Sequence, residues 1–387
     1  MPVENEFPRE LPNHSLISSK SQMTLQSIWL FRYPVSSIVC VQFPTDFPKP
    51  VLALSARIAI DLGLFTHIVQ KCPITSRSLA AITGAEELLI TRILRLLSTA
   101  HFAEETSTGT WAPTPITKTM AKEEIAAGYR FICHMVVPAL QSAPGYFQHH
   151  GYSCPTDAKD GLVQHALQTK KTSFEYIMSD PHLLKDFNLF MGNGMGARKS
   201  WLDWYPVQSN ILDGADADPD KALIVDVGGG KGHDLIAFHK RYPNAGRLVL
   251  EDLPAAFDDL GQYSMVIEKV PHDFLAEAQP VKGAKAYLCH HILHDWPDNY
   301  CVRILEGISS AMTPGYSKLL LHEGIVPEKG VCQFQAMSDI ATMACNGGME
   351  RTREQWRTLL HMAGLQLIRF WNSPDEGGDG IIEAAKV

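Results

Sequence analysis

From Pro50 to about Phe102 the apolar residues recur at three- and four-residue intervals, the period of amphipathic helices. Val51 to Ile68 is one such stretch. Ile74 to Gly84 opens with Thr75 or Ser76 as an N-cap and closes on Gly84, and Ala85 to Phe102 gives a further helix. Ala103 to Thr114 is polar around Gly109 and predicts a small hairpin. Two short helices, a third helix and a hairpin make a winged-helix pattern. The stretch from about Ala126 to Trp204 is again helical and rich in aromatic residues and methionine. Most of these belong to a core, but methionines beside aromatics, as at Met191 and Met195, also suit a pocket for a flat apolar ligand.

At Lys221 the pattern changes. Ala222 to Val227 is a short apolar run containing an acid, as expected of a buried parallel strand. His233 to Pro243 predicts a helix, Arg247 to Pro254 a second strand and Ala284 to Leu293 a third. Cys301 to Met312 predicts a helix, Ser317 to Val326 a fourth strand and Arg353 to Leu365 another helix, with Gln366–Trp371 and Gly380–Val387 as terminal strands. Strands alternating with helices of this length indicate a doubly wound α/β domain.

Composition narrows the function. The 387 residues are 45% hydrophobic and 20% charged, with a formal net charge of -8, which argues against binding nucleic acid through its phosphates. The predicted third helix sets Arg92 and Arg95 against Glu86 and Glu87, so it is no DNA-recognition helix. The eight cysteines are scattered without a C-x-x-C pair, which points to neither a zinc site nor a disulfide framework and suits a reducing, cytoplasmic compartment. The apolar stretch Ile28 to Phe43 is broken by Arg32, Pro34 and serines, so it is read as a buried helix or dimer arm, not a membrane span.

The chemistry concentrates after the first α/β strand. Asp226-Val-Gly-Gly-Gly-Lys-Gly232 sits at a strand end and opens a helix, where open α/β sheets bind ligands. Gly228 and Gly230 let the backbone approach a ligand, and the helix N-terminus offers free N–H groups. The dinucleotide fingerprint G-x-G-x-x-G/A does not fit, because its last position falls on His233 or Leu235. Asp252 closes the second strand, where a carboxylate can accept both ribose hydroxyls.

These residues, followed by Leu293-His-Asp-Trp-Pro-Asp298 and Gly347-Gly-Met-Glu-Arg-Thr352, resemble the plant- and fungal-type S-adenosylmethionine (SAM)-dependent O-methyltransferases of the caffeic acid and flavonoid kind. The likeness runs from about residue 50 to the end. It implies a Rossmann-like class I methyltransferase domain (α/β) with an N-terminal, mainly helical winged-helix dimerisation domain. The chain then divides into an arm at 1–49, a winged-helix-like domain at 50–125, a helical segment lining the substrate pocket at 126–204 and the SAM-binding catalytic domain at 205–387. The resemblance implies cofactor contacts from Asp226, Gly228, Gly230, Asp252, Asp273, Phe274, His290 and Trp296. It makes His294 the general base, oriented by Glu323 and Glu350, and turns Met191, Met195, Met343 and Asn346 to the substrate. Asp295 is read as a cap of the following helix. The implied partners are a phenolic or enolic small molecule and a second copy of the chain. No metal is required on this reading.

A phenol of pKa near 10 facing an imidazole near 6.5 gives up its proton at a cost of roughly 4–5 kcal/mol, which a nearby sulfonium lowers. The competing reaction class is dehydration and pericyclic ring formation, catalysed by fungal proteins that look like these methyltransferases and keep SAM as a bound cation. Leporin-type pericyclases replace the catalytic histidine by a cationic residue. Here His294 is kept, while His134 is placed in the pocket as a further acid or base.

Overall fold

The computed structural model describes residues 48–196, 199–257, 265–375 and 377–386. The expected dimer arm at Ile28 to Phe43 lies outside them. A seven-stranded sheet forms the centre of the C-terminal half, from β1 (Ala222–Val227), β2 (Arg247–Asp252), β3 (Ile267–Pro271), β4 (Ala286–His290), β5 (Lys318–Glu323), β6 (Leu365–Trp371) and β7 (Gly380–Lys386). The spatial order is β6-β7-β5-β4-β1-β2-β3. β1 to β5 are parallel, and β7 enters antiparallel between β5 and β6. The strand order reverses between β1 and β4, so their carboxyl ends open a crevice there.

Every residue of β1 is buried, because the sheet is covered on both faces. Ile224, Leu288 and Leu320 face one core with Leu235 and Phe238 of helix His233–Arg241. Val225, Tyr287 and Leu319 face the other core, built with helices Asp298–Ala311 and Arg353–Met362. β3 carries no clear strand signal in the sequence. It is an edge strand with one fully buried position, and its Glu268, Lys269 and Pro271 are residues that edges tolerate and centres do not.

The N-terminal part is mainly helical. The stretch expected as one helix from Val51 to Ile68 is two, Pro48–Asp61 and Leu64–Gln70, broken where Gly63 takes φ 64°. Helix Ser76–Thr83 starts on Thr75, whose hydroxyl accepts the N–H of Ser78, and ends on left-handed Gly84. Helix Glu87–Thr99 follows, then antiparallel strands Glu104–Ser107 and Thr110–Ala112, the second also pairing with Ile74–Thr75. The long helix Glu123–His150 and helix Pro181–Gly196 form a further layer, whose core reaches Ala344 of the catalytic half. Among the described residues no single helix is long and apolar enough to cross a membrane.

Candidate active site

A cavity of about 2260 Å³ lies between the carboxyl ends of the strands and helices Glu123–His150, Pro181–Gly196 and Gln333–Asn346. The glycine loop forms part of its floor. The N–H groups of Gly228 and Gly229 donate to the carbonyl of Glu251, tying the loop to β2. A Cβ on Gly228 would lie 2.6 Å from Ile292, and one on Gly229 would strike Asp226. Gly230 has φ 57° and open space where its Cβ would point, so the bare backbone faces the cavity. Asp252 pins this shape, accepting Gly230 N–H on Oδ2 and Leu253 N–H on Oδ1, both at 2.7 Å. Burial raises its pKa and these N–H groups pull it back. Each oxygen keeps a lone pair for a ligand hydroxyl.

Asp226 differs from its expected place among the ligand contacts. It is 1% exposed and lies beneath the loop, outside the cavity lining. Burial first, then Asp234, Asp252 and Glu251, push its pKa well above the usual carboxylate range.

Asp273 and Phe274 follow β3 and line the same cavity. Asp273 Oδ1 already accepts the N–H groups of Leu275 and Ala276, at 2.9 and 3.3 Å. Phe274 stands edge-on to Trp296, centroids 6.3 Å apart, and Trp296 stacks on Tyr300 at 5.6 Å. His290, at the end of β4, reaches the cavity with Nδ1 2.7 Å from Asp234 Oδ2.

His294 sits in the short turn Leu293–Asp295. Its Nδ1 is 3.0 Å from Glu350 Oε1, which also accepts the Ser338 hydroxyl at 2.8 Å. Asp339 takes the Glu350 backbone N–H at 2.9 Å. Glu323 does not hydrogen-bond His294 as expected. Its Oε1 accepts the N–H groups of Ile292 and Leu293, at 3.0 and 2.8 Å, so it holds the turn and acts on the imidazole only through its charge. Asp295 is no cap, since helix Asp298–Ala311 begins on Pro297, and its Oδ1 lies 3.7 Å from His294 Nε2. Burial opposes charge on His294, but Asp295, Glu350 and Glu323 outweigh it and raise its pKa to about 10. Burial foremost, with Glu350, lifts Glu323 to about 7 against the pull of His294.

Arg351 joins the two motifs. Fully buried, it donates to the carbonyls of Leu293 and Trp296, at 2.9 Å each, and to Asp298 at 2.7 Å. A Cβ on Gly348 would collide with the backbone of His294 and Asp295, so glycine permits that approach. Sequence reasoning gave no role to Arg351, Ser338 or Asp339; the position of Arg351 inside the GGMERT motif was its only signal.

On the substrate side, Met191 lines the cavity and is 40% exposed. The side chain of Met195 lies outside the described residues. Met343 does not line the cavity, whereas Met337 on the same helix does. Asn346 borders it with its side-chain carbonyl accepting Ser173 N–H at 3.0 Å. His134 is exposed and outside the lining. Cys133, Val136 and Val137 occupy the inward face of that helix, and the His134 ring packs 6.1 Å from Tyr176.

The O-methyltransferase domain family model matches residues 169–366. The O-methyltransferase penC of Penicillium thymicola is 70% identical over 339 residues, covering 88% of this chain and 85% of that protein. A solved pericyclic reaction enzyme superposes with a TM-score of 0.81 at 30% identity, over 91% of this chain and 92% of that one. The LepI complex with SAM gives 0.80 at 31% identity, over 92% of each chain. The fold and motifs define a class I methyltransferase, and the chain belongs to the O-methyltransferase family of fungal secondary metabolism. The cofactor of this family is S-adenosylmethionine.

Proposed function

We propose that the protein transfers the methyl group of SAM to a hydroxyl of an aromatic or polyketide-like small molecule, with His294 as general base. The observation that carries this is His294, on the wall of the cavity that also contains the glycine loop, held by Glu350 at 3.0 Å. Glu350 holds the Nδ1 side of the ring and leaves Nε2 as the nitrogen that takes a proton. When bound, the cofactor supplies a methyl group already activated by its sulfonium. The protein's task is to hold the acceptor hydroxyl in line and remove its proton.

The residues fit the cofactor. Gly230 and Asp252 would hold a ribose, Asp273 and Phe274 with Trp296 would border an adenine, and His290 lines the same cavity. An imidazole near 10 is matched to a phenol near 10, so the proton transfer itself is close to balanced once the imidazole is neutral. The same shift leaves the free imidazole protonated at neutral pH. His294 acts as base from its neutral fraction, which grows as the pH rises towards 10.

The protonated state supports a second reading, a dehydratase or pericyclase in which His294 donates a hydrogen bond to the substrate. The 0.81 TM-score to a pericyclic reaction enzyme points the same way. Mass spectrometry of a panel of phenols and enols incubated with SAM separates the two. A product one methylene heavier, with equimolar S-adenosylhomocysteine, supports methylation; a rearranged or dehydrated product with SAM unconsumed refutes it.

We further propose that residues 50–125 are a winged-helix dimerisation domain, 126–204 a pocket-lining segment and 205–387 the catalytic domain of a cytoplasmic homodimer. Val51, Leu54 and Ile58, between 43% and 50% exposed on one face of helix Pro48–Asp61, support a partner surface there.

A further inference from the structure

Beside the His294 cluster stands a second set of ionisable side chains, His290, His291 and Asp234 on the cavity wall with His322 and Asp379 packed against them. Strand alternation would send His290 and His291 to opposite faces of the sheet. His291 instead takes φ 53° just past the end of β4, and the two rings lie 4.7 Å apart. His322 is the register partner of His290 on β5, with its ring 3.8 Å away. Asp379, 8% exposed, precedes β7 and puts Oδ2 3.0 Å from His291 Nε2.

His290 decides what such a cluster can do. Asp234 Oδ2 lies 2.7 Å from its Nδ1, and Asp234 Oδ1 accepts the Trp201 indole N–H at 2.7 Å. A carboxylate on Nδ1 keeps the proton there and leaves Nε2 with its lone pair. That Nε2 is buried and has no hydrogen-bond partner among the described residues, on a side chain only 9% exposed. Leaving a buried acceptor unmet is costly unless a ligand takes it. The ligating atoms of His290, His291 and Asp379 lie within 4.8 Å of one another, as do those of Asp234, His290 and His322. Asp234 has both oxygens engaged, so its place is behind the histidine, as the carboxylate that orients a metal-binding imidazole.

We propose that His290, His291 and Asp379 bind a divalent transition metal such as zinc, with Asp234 orienting His290. Two imidazoles and one carboxylate are a donor set that suits zinc or iron and leaves coordination positions open. His290 and His291 both line the main cavity, and the His291 ring is 5.0 Å from that of His294. Open positions on the ion would therefore face a bound small molecule. The site stands whether or not a methyl group is transferred, because it is read from metal binding alone.

The test uses untagged, metal-free full-length protein titrated with zinc against a chromophoric chelator, and with cobalt followed by visible absorption. One zinc per chain is expected, with cobalt bands of a nitrogen and oxygen ligand field. His291→Gln and Asp379→Asn should each weaken the affinity by about ten-fold or more. His150→Gln, at the separate imidazole stacked on Tyr146 at 4.1 Å, should leave it unchanged. Absence of saturable binding, wild-type affinity in either folded variant, or loss in His150→Gln overturns the proposal. If circular dichroism shows His291→Gln unfolded, Asp379→Asn decides the matter.

Discussion

Replacing Glu350 by glutamine removes a charge from the His294 site while keeping its shape. The glutamine carbonyl can still accept from His294 Nδ1, at 3.0 Å in the native pair, and from Ser338. The imidazole is raised from 6.5 to about 10 by Asp295, Glu350 and Glu323 acting against burial. That net lift is roughly 5 kcal/mol at about 1.4 kcal/mol per unit. Glu350 is one of three contributors, so its loss should lower the His294 pKa by about one to two units. The assay is two-dimensional NMR of protein labelled in its histidine rings, titrated from neutral to strongly alkaline pH, with the His294 signal assigned by its absence in His294→Gln. The midpoint should move from about 10 to about 8–9. Above about pH 10, where both imidazoles are neutral, the weaker base should slow methyl transfer by roughly tenfold, while at neutral pH its larger neutral fraction offsets that loss. A midpoint unmoved by the substitution, or a wild-type His294 titrating near its ordinary value, would refute the electrostatic reasoning.

Asp252→Ala strips acceptors from the N–H groups of Gly230 and Leu253, and calorimetry should show SAM affinity lower by about ten-fold or more. Because the folded pKa of His294 lies above its unfolded value, its contribution to stability is fully present below about 6.5 and is lost as pH rises towards 10. Urea melts of the wild type should therefore lose up to roughly 1.4 kcal/mol per pH unit in that window, and His294→Gln should lack this slope; equal slopes would contradict it. Gly348→Ala forces a methyl group into the backbone of His294 and Asp295, so about 1–3 kcal/mol of stability should be lost with the site displaced. An unchanged melt and unchanged turnover would show that the contact is slack.

Much of this architecture is legible in the residues because period and chemistry agree. β1 is an unbroken apolar run because it is covered on both faces, and Thr75 and Gly84 bound a helix for local reasons that sequence reveals. β3 was not legible, since an edge strand carries polar residues that a pattern of burial cannot flag. Within the site, motifs brought His294 and Glu350 together but did not say which carboxylate touches the ring. That depends on the path of the turn at Leu293–Asp295, where backbone N–H groups claim Glu323 and leave Asp295 near Nε2. Asp226 misled for a related reason: it belongs to the glycine motif, yet strand alternation turns it under the loop. His134 rests on its helix and Met343 on its nearness to the GGMERT motif, and neither says which face of a helix a side chain takes.

The most direct test of the central claim follows isotope-labelled methyl from SAM into a phenolic acceptor, with wild-type protein and His294→Ala side by side at matched cofactor occupancy. The label should appear on the acceptor oxygen with the wild type. His294→Ala should bind SAM with near-native affinity and leave the label on the cofactor. Transfer by His294→Ala at the wild-type rate, or wild-type turnover of the acceptor with the label still on SAM, would contradict the account.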